Sequence, residues 1–161
     1  MALPVEIRGQ VDVRTGLYLV EFVVPGIAEA DAFDAGDAFG VAFELVVPPA
    51  GIISYGLFID LDDEGTEIDA QLYSGPISVI ASDAAFAPTD RDAMLYVTAL
   101  KFSAFDDWGS FRTSEIRDHN APYHAPLGKL HGQCKCVGTP NIAAGAAPVI
   151  RLGILPYKGS E

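Results

Sequence analysis

The chain has 161 residues, half of them hydrophobic, and its 22 acidic residues outnumber 10 basic ones for a formal charge of -12. That length suits one domain able to bury a sizeable core without disulfides or metals. The acidic balance, with no basic cluster to override it, argues against nucleic acid, whose phosphates call for Lys and Arg. Apolar runs such as Leu17 to Pro25 fall well short of the roughly 20 residues that cross a bilayer.

Residues 1–16 read as an extended amino-terminal arm. Pro4 and Gly9 limit regular structure, and Val5, Ile7, Val11 and Val13 alternate with polar neighbours, a pattern suited to adding a strand to a sheet edge on a neighbouring subunit. Met1 to Glu6 lacks the charged start and continuous apolar stretch of a secretion signal, so the chain is expected in the cytoplasm at synthesis. Residues 17–161 read as a single β-sandwich domain. Leu17 to Val24 is apolar on both faces, as a strand covered on both sides would be, and Pro25-Gly26 ends it. Residues 27–38 are rich in Ala and acid but carry no sustained helical stripe, which predicts a loop with one helical turn.

The next two segments are the clearest. Val41, Phe43, Leu45 and Val47 alternate along one, and Ile53, Tyr55, Leu57, Ile59 and Leu61 along the other, a period of two rather than 3.6. They predict paired strands at about 41–47 and 52–61. The acidic turn Asp62-Asp63-Glu64-Gly65 then returns the chain as a hairpin partner over Ile68 to Tyr73. A short strand is expected over Ile77 to Ala81, and Thr89-Asp90-Arg91-Asp92 can cap one helical turn. Met94 to Phe102 is largely apolar on both faces and predicts a central strand. Ala104 to Leu127, rich in polar groups and prolines, predicts long loops with a strand over Phe111 to Ile116. Strands over Leu130 to Val137 and Val149 to Leu155 close the chain. Eight or so strands with frequent breakers and no long helix predict an all-β, jelly-roll-like sandwich.

Three constellations carry chemistry-bearing residues. Asp60-Leu61-Asp62-Asp63-Glu64-Gly65 resembles the opening of a calcium loop, yet Gln71 stands where its bidentate glutamate belongs. A hairpin tip whose Gly65 takes φ > 0 is the simpler reading. His119, His124, His131, Cys134 and Cys136 form a tempting zinc set without zinc spacing. In a strand, Cys134 and Cys136 share one face while His131, Gln133 and Lys135 share the other, and two residues so placed do not readily form a disulfide. Buried free thiols are expected. Asp118-His119 with Ser110 and Ser114 offers a nucleophile and a base, but no G-x-S-x-G elbow is present. No motif with a mechanism points to an enzyme or a cofactor.

The segments Asp34 to Gly40, Gly51-Ile52-Ile53, Ile59 to Gly65 and Gly138 to Gly145 resemble those of small tailed-bacteriophage virion proteins of the capsid cement or decoration class. The resemblance implies a jelly-roll protein that sits on the outside of an icosahedral shell as a dimer or trimer and reinforces contacts between major capsid subunits, with no catalytic residue carried over. Its localisation would be the capsid surface, after assembly in the host cytoplasm. The apolar composition agrees with self-association. Candidate interface residues are Val5, Ile7 and Val11 in the arm and Phe105, Trp108, Phe111 and Tyr123 in the irregular region. The alternative is a carbohydrate- or receptor-binding sandwich of a phage tail or head fibre, with Trp108 and Tyr123 stacking on sugars. A cupin-like enzyme ranks behind both, because the strand interiors are mostly aliphatic.

Overall fold

Alternation along the strands builds two layers around one apolar seam. Residues 4–11, 16–27 and 31–157 are described in the computed structural model, Val11 and Asp31 through their backbones alone. In chain order the elements are β1 (Val5–Arg8), β2 (Gln10–Val11), β3 (Tyr18–Val23), β4 (Asp31–Ala32), β5 (Ala38–Val46), β6 (Ala50–Asp60) and β7 (Ile68–Tyr73). A single helical turn, α1 (Asp90–Ala93), precedes β8 (Tyr96–Phe102), β9 (Asp106–Asp107), β10 (Arg112–Ile116), β11 (Ala121–His124), β12 (Lys129–Cys136), β13 (Asn141–Ile142) and β14 (Val149–Pro156).

One sheet runs β1-β5-β12-β7-β8 and the other β2-β3-β14-β6-β10-β9, with β11 also paired to β6. The protein is an all-β sandwich. Among the eight longer described strands, with β10 and β11 taken as one interrupted strand along β6, only the β7–β8 connection stays within one sheet; β3 to β5, β5 to β6, β6 to β7, β8 to β10, β11 to β12, and β12 to β14 all pass between the layers. The seam is filled by Phe22, Phe43, Phe58, Leu72, Leu100, Phe102, Leu130, Cys134, Cys136, Ile150 and Leu152, all buried. Phe22 and Phe43 meet at 4.7 Å between ring centroids, and Phe58 and Phe102 at 5.3 Å.

Several expected pairings are corrected. The strands at 41–47 and 52–61 do not pair with each other: β5 and β6 lie in opposite sheets. Pro48-Pro49, which offers no backbone donor, turns the chain from one layer to the other. Ile68 to Tyr73 is likewise no hairpin partner of β6, since β7 pairs with β12 and β8. Periodicity reports which residues share a face and says nothing of which strand lies alongside. β8 is an edge strand rather than a central one. β3 is covered on one side only, Glu21 and Val23 being exposed. In the predicted loop at 27–38, residues 28–30 lie outside the described residues; the rest holds β4, paired to β13, and a turn.

The arm folds onto its own chain. β1 pairs in parallel with β5, Val5 opposite Phe43 and Arg8 opposite Val46, and β2 pairs with β3. Tyr18 joins these pieces: the Gly9 N–H donates to its hydroxyl at 3.0 Å, and that hydroxyl donates to the Val46 carbonyl at 2.7 Å. Lys129 reaches Glu6 of β1 and Glu44 of β5. Residues 1–3 and 12–15 of the predicted arm lie outside the described residues.

Ile77 to Ala81 is not a strand but part of a strap, residues 74–89, across the outer face of the five-stranded sheet. The Ala38 N–H donates to the Ala84 carbonyl at 2.7 Å, and Asp83 and Phe86 donate to Ala38 and Gly36 at 2.9 Å each. The fully buried Gln133 holds the strap from beneath, its Nε2 donating to the carbonyls of Gly40 at 3.1 Å and Ile80 at 2.9 Å. The strap ends in the expected capping box, with Thr89 and Asp92 bonding each other's backbone N–H. Asp92 is buried, and its carboxylate also accepts from the Ser78 N–H at 3.0 Å. Burial opposes ionisation here, yet the bonds from Thr89 and Ser78 prevail and hold the carboxyl below its ordinary pKa.

Two outcomes follow from this packing. A Cβ on Gly56 of β6 would stand 2.4 Å from Cδ2 of the fully buried Leu100 across the seam, so Gly56→Ala is expected to cost about 1–3 kcal/mol in urea unfolding. Asp92→Asn is expected to lose roughly 1–2 kcal/mol at neutral pH. Because the folded carboxyl is depressed, its contribution is present above the unfolded pKa of about 3.9 and disappears as pH falls through the folded value. The gap between wild type and variant should therefore close on acidification below about pH 4, as read by denaturant midpoints across pH.

Candidate functional site

The hairpin joining β9 to β10 projects from the rim of the six-strand path and carries the most prominent aromatic pair. Arg112 lies opposite Asp107 and Thr113 opposite Asp106. The Trp108 N–H donates to the Phe111 carbonyl at 3.0 Å, and the Gly109 N–H to the Asp107 carboxylate at 2.8 Å. Trp108 remains 61% exposed although its indole N–H donates to Thr113 Oγ1 at 2.9 Å, and Phe111 is 36% exposed. Both side chains stand exposed while the indole's single donor is already satisfied. At the hairpin's base Phe105 packs against the core, edge to face with Phe58 at 6.0 Å.

Arg112 fixes this hairpin to the neighbouring acidic turn. Its guanidinium bonds Asp63 at 3.1 Å and reaches Asp107 at 3.4 Å. The turn itself is organised around Asp60, buried at the end of β6, whose carboxylate accepts the N–H groups of Asp62, Glu64 and Gly65 at 2.9, 3.0 and 2.7 Å. Gly65 takes φ +69° as the turn requires. Glu64 accepts the Asn141 N–H at 2.9 Å, and Asp62 the Ala143 N–H at 3.2 Å. These carboxylates staple the turn and hold the β13 segment. The surface that results is an aromatic tip, Trp108 and Phe111, beside the exposed acids Asp106 and Asp107.

The other expected interface residues lie elsewhere. Tyr123 of β11 is buried, its hydroxyl donating to the Pro48 carbonyl at 2.8 Å, and burial pushes its pKa well up. Val5 is half exposed on β1 and Ile7 packs on the core. Val11 pairs with Tyr18 through its backbone, and its side chain lies outside what is described. Of the seven candidates, only Trp108, Phe111 and, beneath them, Phe105 come together.

The chemistry-bearing residues are dispersed. His119 sits in the bulge between β10 and β11, where its Nε2 meets Thr98 Oγ1 at 2.9 Å and burial lowers its pKa. Asp118 beside it is exposed, Ser110 is on the aromatic hairpin, and Ser114 is buried in β10. His131 lies 3.7 Å from Glu44 on the outer face of β12, its pKa lowered by burial against the opposing carboxylate. Cys134 and Cys136 form no disulfide and are buried in the seam, and burial raises the Cys134 thiol. Among the described residues no three His, Cys, Asp or Glu side chains gather as a metal site, and no helix is long and apolar enough to cross a membrane.

A concavity also went unread in the sequence. An open cleft of about 330 Å³ lies between α1 and the outer face of β7 and β8, lined by Gln71, Tyr73, Pro88, Thr89, Asp90 and Tyr96 among others. Its local signal was the Thr89-to-Asp92 cap, but the union of that cap with Tyr73 and Tyr96 depends on the strap's path. No protein-family model matches the chain, and no curated protein is significantly similar to it.

Removing the Asp60 carboxylate leaves three turn N–H groups without their acceptor. Asp60→Ala is expected to cost roughly 2–3 kcal/mol by chemical denaturation, whereas Trp108→Ala at the exposed tip should stay within about 0.5 kcal/mol.

Proposed function

We propose that this protein is a structural component of a tailed-bacteriophage virion that binds the outside of the capsid and strengthens contacts between major capsid subunits. The observation that carries this reading is a contrast in how side chains are used. Asp60, His119, Asp92 and the two cysteines are committed to internal bonds or to the core, while Trp108 and Phe111 stand exposed on a hairpin that Arg112 braces. A protein so arranged works through its surface. Exposed aromatics on a braced element are the usual anchors of an interface.

Topology adds support. The strands β3, β14, β6 and β10 form one run and β5, β12, β7 and β8 the other; with crossings between layers at every step but β7–β8, we read the sandwich as a jelly roll. That is the fold expected from the resemblance to cement proteins. In this reading the partner is the major capsid protein, the protein self-associates as a dimer or trimer on the shell, and the -12 charge keeps decorated particles mutually repelling.

The test is co-sedimentation of the purified protein with capsids that lack it, at low and high salt. Saturable binding is expected, and Trp108→Ala should weaken it by about thirtyfold, the cost of losing an aromatic anchor worth roughly 2 kcal/mol. Protein that stays in the supernatant at both salt concentrations, while remaining folded, would sink the reading.

A further inference from the structure

The cleft beside α1 has the composition of a ligand site rather than of a gap in packing. Gln71 and Tyr73 stand two apart on β7 and so share its outer face, and Tyr96 of β8 lies directly opposite Tyr73. The two tyrosine rings meet edge to face, 6.0 Å apart at 78°. Tyr73 is buried and holds its neighbour in place, while Tyr96 is 51% exposed and presents a ring to the cleft.

Two polar groups are set beside that ring. The Tyr73 hydroxyl donates to Gln71 Oε1 at 2.6 Å. Burial, with Asp92 and Tyr96 nearby, pushes its pKa up to about 12, so it remains a donor throughout the neutral range. With its oxygen engaged, the Gln71 amide turns its two Nε2 hydrogens to other partners. On the opposite wall Asp90 is exposed, a pure acceptor when ionised. The backbone that carries it is held by the capping box and by the bond from Ser78 to Asp92. Gln71 and Tyr73 on one wall and the backbone of the α1 turn on the other are thus held before any ligand arrives, which lowers the cost of binding.

We propose that this cleft binds a neutral pyranose, its apolar C–H face against Tyr96, with Gln71 Nε2 donating to one ring hydroxyl and Asp90 accepting from another. An exposed aromatic ring flanked by one oriented donor and one acceptor matches the two-sided chemistry of a sugar, apolar on its face and polar on its rim. The acidic surface disfavours uronic and sialic acids by like-charge repulsion. The inference does not rest on the capsid-binding reading: it concerns a different surface, and sedimentation with capsids can fail while sugar binding stands.

Saturation-transfer NMR on the intact protein, with the methyl glycosides of glucose, galactose, mannose and N-acetylglucosamine and with methyl glucuronide as the charged contrast, tests it. At least one neutral glycoside is expected to bind saturably and the glucuronide more weakly. Tyr96→Ala and Gln71→Ala should each weaken binding about tenfold. Tyr96→Phe, which keeps the ring, and Leu127→Ser, at an exposed turn away from the cleft, should leave it unchanged. Thermal unfolding of each variant separates lost binding from lost fold. No transfer to any neutral glycoside, binding that survives Tyr96→Ala, or binding lost in Trp108→Ala but not in Tyr96→Ala would each overturn the proposal.

Discussion

β12 is buried on both faces, and the rest of the molecule is arranged around that constraint. Toward the seam it sends Leu130, Cys134 and Cys136, and toward the outside His131 and Gln133. A buried amide is costly unless bonded, and Gln133 meets that cost by donating to Gly40 and Ile80. Its Oε1 has no hydrogen-bond partner among the described residues, so the amide is held by its donors alone. These two bonds tie the strap to β5 and β12. The strap in turn places the Thr89 cap and α1 over β7, and the cleft exists because of that placement. A chain of dependence therefore runs from one buried glutamine in a central strand to a concavity on the same outer face of that sheet.

Much of the strand content was legible. The alternation at Val41 to Val47 and at Ile53 to Leu61 marks β5 and β6, the faces of Cys134 and His131 were correctly opposed, and the Thr89-to-Asp92 cap appears as its residues dictate. What periodicity cannot carry is partnership. β5 and β6 are adjacent in sequence yet lie in different layers, because burial on one face is satisfied equally by a hairpin and by a crossover. The apolar faces of Met94 to Phe102 suggested a central strand. β8 nevertheless takes an edge, with Tyr96 exposed on its outer face.

The candidate sites divide in the same way. Trp108 and Phe111, two of the four large aromatics in the irregular stretch from Ala104 to Leu127, stand exposed because the tight β9–β10 hairpin that carries them has few places to bury them. Tyr123, drawn from the same stretch, is buried instead because β11 pairs with β6 beside Ala50 to Ile53 and its hydroxyl finds the Pro48 carbonyl. Gln71, Tyr73 and Asp90 were invisible as a group. The strap, residues 74–89, separates Tyr73 from Asp90 in sequence, and the hydrogen bonds of that strap bring them together.

β8 also sets the relation between the two surfaces. The cleft lies at its amino-terminal end, at Tyr96, and the chain leaves its carboxy-terminal end at Phe102 directly into the segment carrying Phe105 and the aromatic hairpin. Seven extended residues span roughly 23 Å, so the two surfaces stand at opposite ends of one rigid strand. A molecule seated on a larger body through Trp108 and Phe111 would hold the cleft away from that body, facing solvent. Seating through the cleft end would do the reverse and bury Tyr96. The orientation of a bound molecule thus decides which aromatic surface stays free, and protection of Tyr96 or of Trp108 on binding distinguishes the two.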